Sequence, residues 1–287
     1  MNQPIMTSAA ENRTIGDILV DSGRLKSSDV DKIRQVQSAE NIPFGEAAIK
    51  QGLLTQDDIN FALAQQFDYS YFEPKDVKFD SQMVAAYKPF SKVGEDFRAL
   101  RSQLMLRWFK QDSLRKVLAV VSPADKEGKS FIIANLAIMF AQQGEKTLLI
   151  DANLRKPSLD TLFNAKQKSG LSVYLSGRAG FDVIKPVSGI DNLSLLAAGP
   201  VAPNPQELLG KSTFNDLLKY AVLEYDVILI DTPSAKESSD GEIVASKAGA
   251  ALIVANKDNS FLSDINSLAS RLKDSGVAVV GTVLNEI

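Results

Sequence analysis

From residue 116 onward, short unbroken apolar runs alternate with longer amphipathic segments. The runs are 117-VLAVVS-122, 147-TLLID-151, 193-LSLLAA-198, 226-DVILID-231, 250-AALIVA-255 and 277-VAVVGTVLN-285. Runs that are apolar at nearly every position suit strands buried on both faces of a sheet. Between them, 130-SFIIANLAIMFAQQ-143 and 261-FLSDINSLASRLKDSG-276 space their apolar residues as helices do, and Gly144 closes the first. Strand, helix, strand in this order predicts an α/β fold: a mostly parallel, doubly wound sheet with right-handed crossovers. Ligands of such sheets sit outside the carboxyl ends of the strands.

The pattern before residue 73 is different. The stretch 15-IGDILVDSGRLKSSDVDKIRQVQ-37 matches 44-FGEAAIKQGLLTQDDINFALAQQ-66 at a constant offset of 29 residues. Gly16 pairs with Gly45, Gly23 with Gly52, Leu25 with Leu54, Asp29 with Asp58 and Gln37 with Gln66. Repeats of this length mark stacked helical units. Each copy predicts a short helix ending at its second glycine, a polar start, then a second helix with apolar residues at Val30, Ile33 and Val36, or at Ile59, Leu63 and Phe67. Two copies predict a small all-α domain over residues 13–72. The polar stretch 73-EPKDVKFDSQ-82 has no helical period, and Pro74 and Pro89 discourage one. Residues 73–90 are therefore expected to form a linker, and residues 91–287 the second domain.

Candidate chemistry concentrates at the strand ends. The run 117–121 leads directly into 122-SPADKEGKS-130, which opens a helix. This stretch ends as a nucleotide-binding loop does, in Gly128-Lys129-Ser130, but Pro123 holds the place of the usual first glycine. Amides at a helix N-terminus face a phosphate well. Two further runs end in aspartate, Asp151 and Asp231, and would carry their carboxylates to the same sheet edge. Ser130 with one or two of these carboxylates suits Mg²⁺, which prefers oxygen ligands and keeps several waters. Each piece alone has a plainer reading: Lys129 as a solvated lysine, Asp151 as a cap, Asp231 as a turn residue before Pro233. Their convergence at the strand ends of one sheet favours the nucleotide site.

Composition narrows the chemistry further. The 287 residues contain no cysteine and no histidine. Disulfides, thiolate sites, cysteine nucleophiles, Ser-His-Asp catalysis and most zinc sites are thereby excluded. With 32 basic against 35 acidic residues, there is no basic excess of the kind a nucleic-acid binder carries. The N-terminus lacks the apolar core of a signal peptide, and no run reaches membrane-spanning length. The expectation is a cytoplasmic protein whose membrane role, if any, runs through a partner.

Five stretches together resemble the bacterial tyrosine kinases of the polysaccharide chain-length-determinant type, close to the EpsG group. They are 122-SPADKEGKS-130 as Walker A, 148-LLIDANLRKP-157 as Walker A′, 228-ILIDTPS-234 as Walker B, 199-GPVAPNPQELL-209, and 95-EDFRALR-101. The last fits an E-x-x-R-x-x-R oligomerisation motif. The resemblance covers about residues 83–287 and implies a P-loop NTPase fold related to MinD and ParA. It implies transfer of the ATP γ-phosphoryl group to tyrosine, in control of exopolysaccharide chain length, polymerisation or export. Lys129 would neutralise phosphate, Ser130 and Asp231 would hold Mg²⁺, and Asp151 would orient or deprotonate the acceptor, with a place on the metal as well. Lys126, Glu127, Gly128, Phe131 and an adenine-facing Asn285 would complete the ATP site. Glu95, Arg98, Arg101 and Arg155 would serve a homo-oligomer. A membrane-embedded regulator of the Wzc/CapA type would complete the kinase and hold it at the inner membrane.

The same comparison marks departures. Asn153 stands where the family's Asp-x-Asp has its second carboxylate, and Lys126 where it usually has glycine. None of the six tyrosines, Tyr69, Tyr71, Tyr87, Tyr174, Tyr220 and Tyr225, forms a C-terminal cluster, so the acceptor is expected on another protein. A MinD/ParA-like ATPase switch and a nucleotide-binding pseudokinase scaffold are the alternatives. ParA-type loops carry lysine where this chain has Ala124, which disfavours the former. The N-terminal repeat resembles the N-terminal domain of MshE-type and type II secretion ATPases, some of which bind cyclic di-GMP. The family motif opens on arginine, but here both openings, Thr14-Ile15-Gly16 and Pro43-Phe44-Gly45, lack it. A packing or docking module is the favoured reading, with cyclic di-GMP as the other.

Overall fold

The computed structural model describes residues 13–66, 78–110, 112–165 and 167–286. The chain divides into two compact units between residues 71 and 72.

Among the described residues, the regular structure of the first unit is helical: α1 (Ile15–Asp21), α2 (Ser27–Glu40), α3 (Phe44–Lys50) and α4 (Gln56–Gln66). Gly23 and Gly52 follow α1 and α3 at φ 71° and 66°, the left-handed turn-offs expected of them. Ile33 and Ile59 are buried, and with Leu19, Leu25, Ala47, Ala48, Leu54 and Ala62 they form the core. Val30, Val36 and Leu63 pack against it; Phe67 lies outside the described residues. Thr14 and Asp17 cap α1 reciprocally. Asp58 plays that part at α4, accepting from the Thr55 amide at 2.9 Å and from Arg24 Nη1 at 2.9 Å. Burial works against its charge, but Thr55 and Arg24 hold its carboxyl below the usual range.

The second unit begins with α5 (Val84–Tyr87) and α6 (Lys92–Leu104), which ends in a π-helical turn, Met105–Phe109. Then follow β1 (Val117–Val121), α7 (Lys129–Gln142), β2 (Thr147–Asp151), α8 (Leu159–Leu162), α9 (Leu171–Leu175), β3 (Lys185–Pro186) and β4 (Leu193–Leu196). The chain continues through α10 (Pro205–Gly210), α11 (Ser212–Glu224), β5 (Val227–Asp231), α12 (Asp240–Ala248), β6 (Ala250–Asn256), α13 (Leu262–Asp274) and β7 (Ala278–Asn285). The strand order is β3-β4-β2-β5-β1-β6-β7. All pairings are parallel except β3 with β4. Strand residues alternate between two cores. Leu118, Val120, Leu149 and Leu229 join α5, α6 and α7 on one face. Val117, Ala119, Ile150 and Ile230 face α9 to α13 on the other. The expected doubly wound sheet is therefore present. Each fully buried Phe or Leu, such as Phe140, Phe214 and Leu118, contributes about 1.5–3 kcal/mol over an exposed one.

The expected linker needs correction from residue 78 on; residues 73–77 lie outside the described residues. Residues 79–87 form a strap bound to the second unit. Phe79, Met83, Ala85 and Ala86 are buried in its core. Asn135 of α7, fully buried, accepts from the Ala85 amide at 2.8 Å and donates to the Gln82 carbonyl at 3.1 Å. The Asp80 amide donates to the Leu162 carbonyl at 2.9 Å. A polar stretch without period still folds here because a buried amide fifty residues on satisfies its backbone.

Candidate phosphate-binding site

β1 lies inside the sheet, between β5 and β6. Its neighbours deliver Asp231 at the end of β5 and, one strand further, Asp151 at the end of β2, paired in register. All three strands are buried along their whole length, and both carboxylates are fully buried with them. The loop Ser122–Gly128 crosses above them into α7. Gly128 stands at φ 89°, and a Cβ there would come within 2.2 Å of Asn285 Nδ2. Only glycine fits both the torsion and the approach.

The predicted residues converge. Ser130 Oγ donates to Asp231 Oδ2 at 2.5 Å. Asp231 Oδ1 is buried and, among the described residues, has no hydrogen-bond partner. Lys129 Nζ donates to Ser122 Oγ at 2.8 Å. Burial lowers the Lys129 pKa, against the pull of Asp231 and Glu127. Glu127 is buried as a loop tie: it accepts from the Ala124 amide at 2.9 Å and from the Ser260 hydroxyl. Lys126 stands at φ 61°. Asn285 Nδ2 donates to the Glu127 carbonyl at 3.2 Å.

Asp151 has a second duty. Its Oδ1 accepts from the Asn153 amide at 3.0 Å, and its Oδ2 from the amides of Ser158 and Leu159 at 3.1 Å each. It thus folds the loop after β2 over the site. Burial, then the Asp231 carboxylate, push it up to about 8, and burial raises Asp231 to about 6 against Ser130 and Lys129. The two share one low-dielectric pocket and titrate as a pair, so without a cation the pair resists carrying two negative charges at neutral pH.

A cleft of about 570 Å³ opens between these loops. The phosphate loop forms one wall, from Asp125 to Phe131; Asn153, Lys156, Ser158 and Thr161 form another; the strap contributes Asp80 and Gln82. A second hollow, of about 460 Å³, is lined by Phe131, Asn285 and residues of α6, including Asp96 and Phe97. Phe131 borders both.

The other predicted residues are placed elsewhere. Glu95 and Arg98 pair with each other on α6, and Arg101 Nη1 donates to the Met139 carbonyl of α7 at 3.2 Å. Arg155 Nε meets the buried Asp240 at 2.8 Å, joining the loop after β2 to α12. Tyr69 and Tyr71 lie outside the described residues. In the helical unit, Gln37, Gln66, Gly16 and Phe44 line one hollow of about 330 Å³ with Arg34. Sequence reasoning missed Ser260, Asp240, Asn135 and the strap residues, because each acts through a partner far away in the chain, and it missed Ser122, whose partner Lys129 reaches it only once the loop is folded. Among the described residues, no helix is long and apolar enough to cross a membrane.

No protein-family model matches the chain. It is 32% identical over 200 residues to the putative tyrosine-protein kinase CapB of Staphylococcus aureus, covering 70% of this chain and 87% of CapB. It is 34% identical over 207 residues to the tyrosine-protein kinase Wzc of Salmonella typhimurium, over 72% of this chain but only 28% of Wzc. Among solved structures, the kinase domain of the Escherichia coli tyrosine kinase ETK superposes with a TM-score of 0.68 at 30% identity, over 71% of this chain and 80% of that domain. The chimerical protein CapA2B2 gives 0.67 at 30% identity, over 78% and 97%. MinD of Pyrococcus horikoshii, complexed with Mg-ADP, gives 0.53 at 26% identity, over 59% and 70%. The likeness to the kinases exceeds that to the MinD-type ATPase.

Proposed function

The chain belongs to the bacterial tyrosine-kinase family, and on that premise we propose that its second unit transfers the γ-phosphoryl group of ATP to a tyrosine hydroxyl. The observation that carries this reading is the buried Oδ1 of Asp231, without a hydrogen-bond partner among the described residues, on a carboxylate whose Oδ2 accepts from Ser130, which with Lys129 lines an open cleft. An orphaned buried carboxylate oxygen is costly unless something fills its place. Together with Ser130 Oγ it fits an oxygen-preferring Mg²⁺ ion, which when bound neutralises charge on the transferred phosphoryl group.

The chain's own residues do the rest. Lys129 leaves Ser122 and meets the β- and γ-phosphates. The amides from Gly128 to Ser130, at the N-terminus of α7, face the phosphate oxygens. Asp151, whose pKa is raised toward neutrality, suits exchange of a proton with an acceptor hydroxyl. Its amide partners keep the loop of Asn153 and Ser158 against the cleft. Phe131 and Asn285 border the hollow we assign to the base.

The setting we propose is control of exopolysaccharide chain length, polymerisation or export, in an EpsG-like arrangement. The kinase would work in the cytoplasm, held at the inner membrane by a membrane-embedded regulator, and would act on a tyrosine of another protein. The face of α6 carrying Glu95, Arg98 and Arg101, with Arg155, is the proposed contact between copies. The helical unit, MshE-like in its repeat, is proposed as a docking module; the hollow around Gln37 and Gln66 is where cyclic di-GMP would be sought. The test is incubation with γ-labelled ATP and the cytoplasmic part of the membrane partner. Label on tyrosine that falls at least about a hundredfold in Lys129→Ala supports the reading; release of free phosphate alone sinks it.

A further inference from the structure

We infer that Asp96 of α6 reads the base of the nucleotide: its carboxylate accepts a hydrogen bond from the 6-amino group of adenine and sets a preference for ATP over purine nucleotides that lack that group. The inference rests on the nucleotide reading above and deepens it.

The hollow of about 460 Å³ beside the phosphate cleft has the size of a small-ligand site. Phe131 follows Ser130 directly and borders both spaces, so the hollow adjoins the place where the phosphates would sit. Much of its wall is apolar: Val93, Phe97 and Leu100 from one face of α6, Phe131 and Ile132 from α7. Phe97 and Phe131 meet edge to face, with ring centroids 5.6 Å apart. Such a wall suits the flat face of a purine, but it does not tell one base from another, since every base has a π-face.

Discrimination falls to the polar side chains of the hollow, Lys92, Asp96, Asn285 and Glu286. Asn285 donates to the Glu127 carbonyl at 3.2 Å, and Glu286 pairs with Lys257 at 3.1 Å. Lys92 and Asp96, one helical turn apart on α6, are exposed and make no ion pair or hydrogen bond among the described residues. The amino group of adenine is a donor. A carboxylate accepts it, whereas the Lys92 ammonium has no lone pair to offer. A hydrogen bond to an ionised acceptor is also stronger than one between neutral groups. The same carboxylate disfavours a base that turns a carbonyl to this place, as guanine does with its 6-oxygen. Glu95 and Arg98 are occupied with each other, and neither lines the hollow. The E-x-x-R spacing therefore brackets a residue, Asp96, that faces a different space and serves a different end.

The experiment is calorimetric titration of the full chain, in excess Mg²⁺, with ATP, with GTP and with purine riboside 5′-triphosphate, which differs from ATP only in lacking the 6-amino group. The wild type should bind ATP about five- to thirtyfold more tightly than purine riboside triphosphate, and more tightly than GTP by at least as much. Asp96→Ala should weaken ATP by about the same factor and leave purine riboside triphosphate within about twofold of wild type, so that the preference closes from the ATP side. Because Asp96 is exposed, the variant should melt with the wild type, which separates a lost contact from a damaged fold. A wild type that binds ATP no better than purine riboside triphosphate or GTP overturns the inference, as does an Asp96→Ala protein that keeps the wild-type ratios. In either case ATP binding leaves the nucleotide reading standing; binding of none of the three overturns both.

Discussion

Asp231 is a residue whose usefulness and whose cost have the same origin. Its folded-state pKa lies above its unfolded value, raised from 3.8 to about 6 chiefly by burial. The stability linked to its neutral form is present in full below about pH 4 and is lost as pH rises through the folded value. A rise of that size corresponds to about 3 kcal/mol at most. Asp231→Asn, which keeps the shape and the bond to Ser130, should therefore raise the melting temperature of the nucleotide-free protein at pH 8 and leave it unchanged near pH 4, while abolishing phosphoryl transfer. Thermal melts at the two pH values check this. Gly128→Ala should do the opposite. Its φ of 89° and the Asn285 side chain 2.2 Å from the added Cβ predict a loss of about 1–3 kcal/mol or more together with ATP binding. Lys129, Ser130 and Asp231 were legible in the sequence, because their spacing from strand ends encodes their place. Ser122 and Ser260 were not: a serine takes its meaning from a partner that only folding supplies.

Among the elements, the buried strands and the long helices α7 and α13 were legible from apolar pattern, since the pattern and the burial are one physical fact. Two elements were not. β3 is two exposed residues, Lys185 and Pro186, too short for any period to show. The strap at 79–87 reads as linker because its order comes from Asn135, in the helix that carries the phosphate loop. Asn135→Ala would strand the buried Ala85 amide, remove the donor to the Gln82 carbonyl and leave a void. We expect a loss of about 2–4 kcal/mol in denaturant unfolding. Asn135→Asp should not rescue it, since a carboxylate cannot donate to Gln82. Because Asp80 and Gln82 line the cleft, both variants should also weaken acceptor phosphorylation more than ATP binding.

At the scale of the whole molecule, the helical and sheet units respond to pH with opposite signs. In the helical unit, Asp58 is held below its unfolded value of 3.8, so its contribution is present above pH 4 and disappears as pH falls through the lower folded value. In the sheet unit, Asp151 and Asp231 are raised to about 8 and about 6, so stability declines as pH rises across that range. Calorimetric scans of the nucleotide-free chain should show a sheet-unit transition that moves down between pH 5 and pH 8, while the helical transition stays put. Below pH 4 the helical transition should fall instead. Mg-ATP should flatten the alkaline decline, because it favours the ionised carboxylates.

The bond from Asn285 to the Glu127 carbonyl spans 158 residues of sequence. Its consequence lies in time. During synthesis the phosphate loop leaves the ribosome before its partners, β1 has neither neighbour until β5 and β6 are made, and Asn285 arrives only with β7. At about 5–20 residues per second, the loop waits roughly eight to thirty seconds for the residue that pins it. A nascent chain therefore has no finished phosphate site to offer until Asn285 has been made, and competence for nucleotide arrives with β7 rather than by degrees.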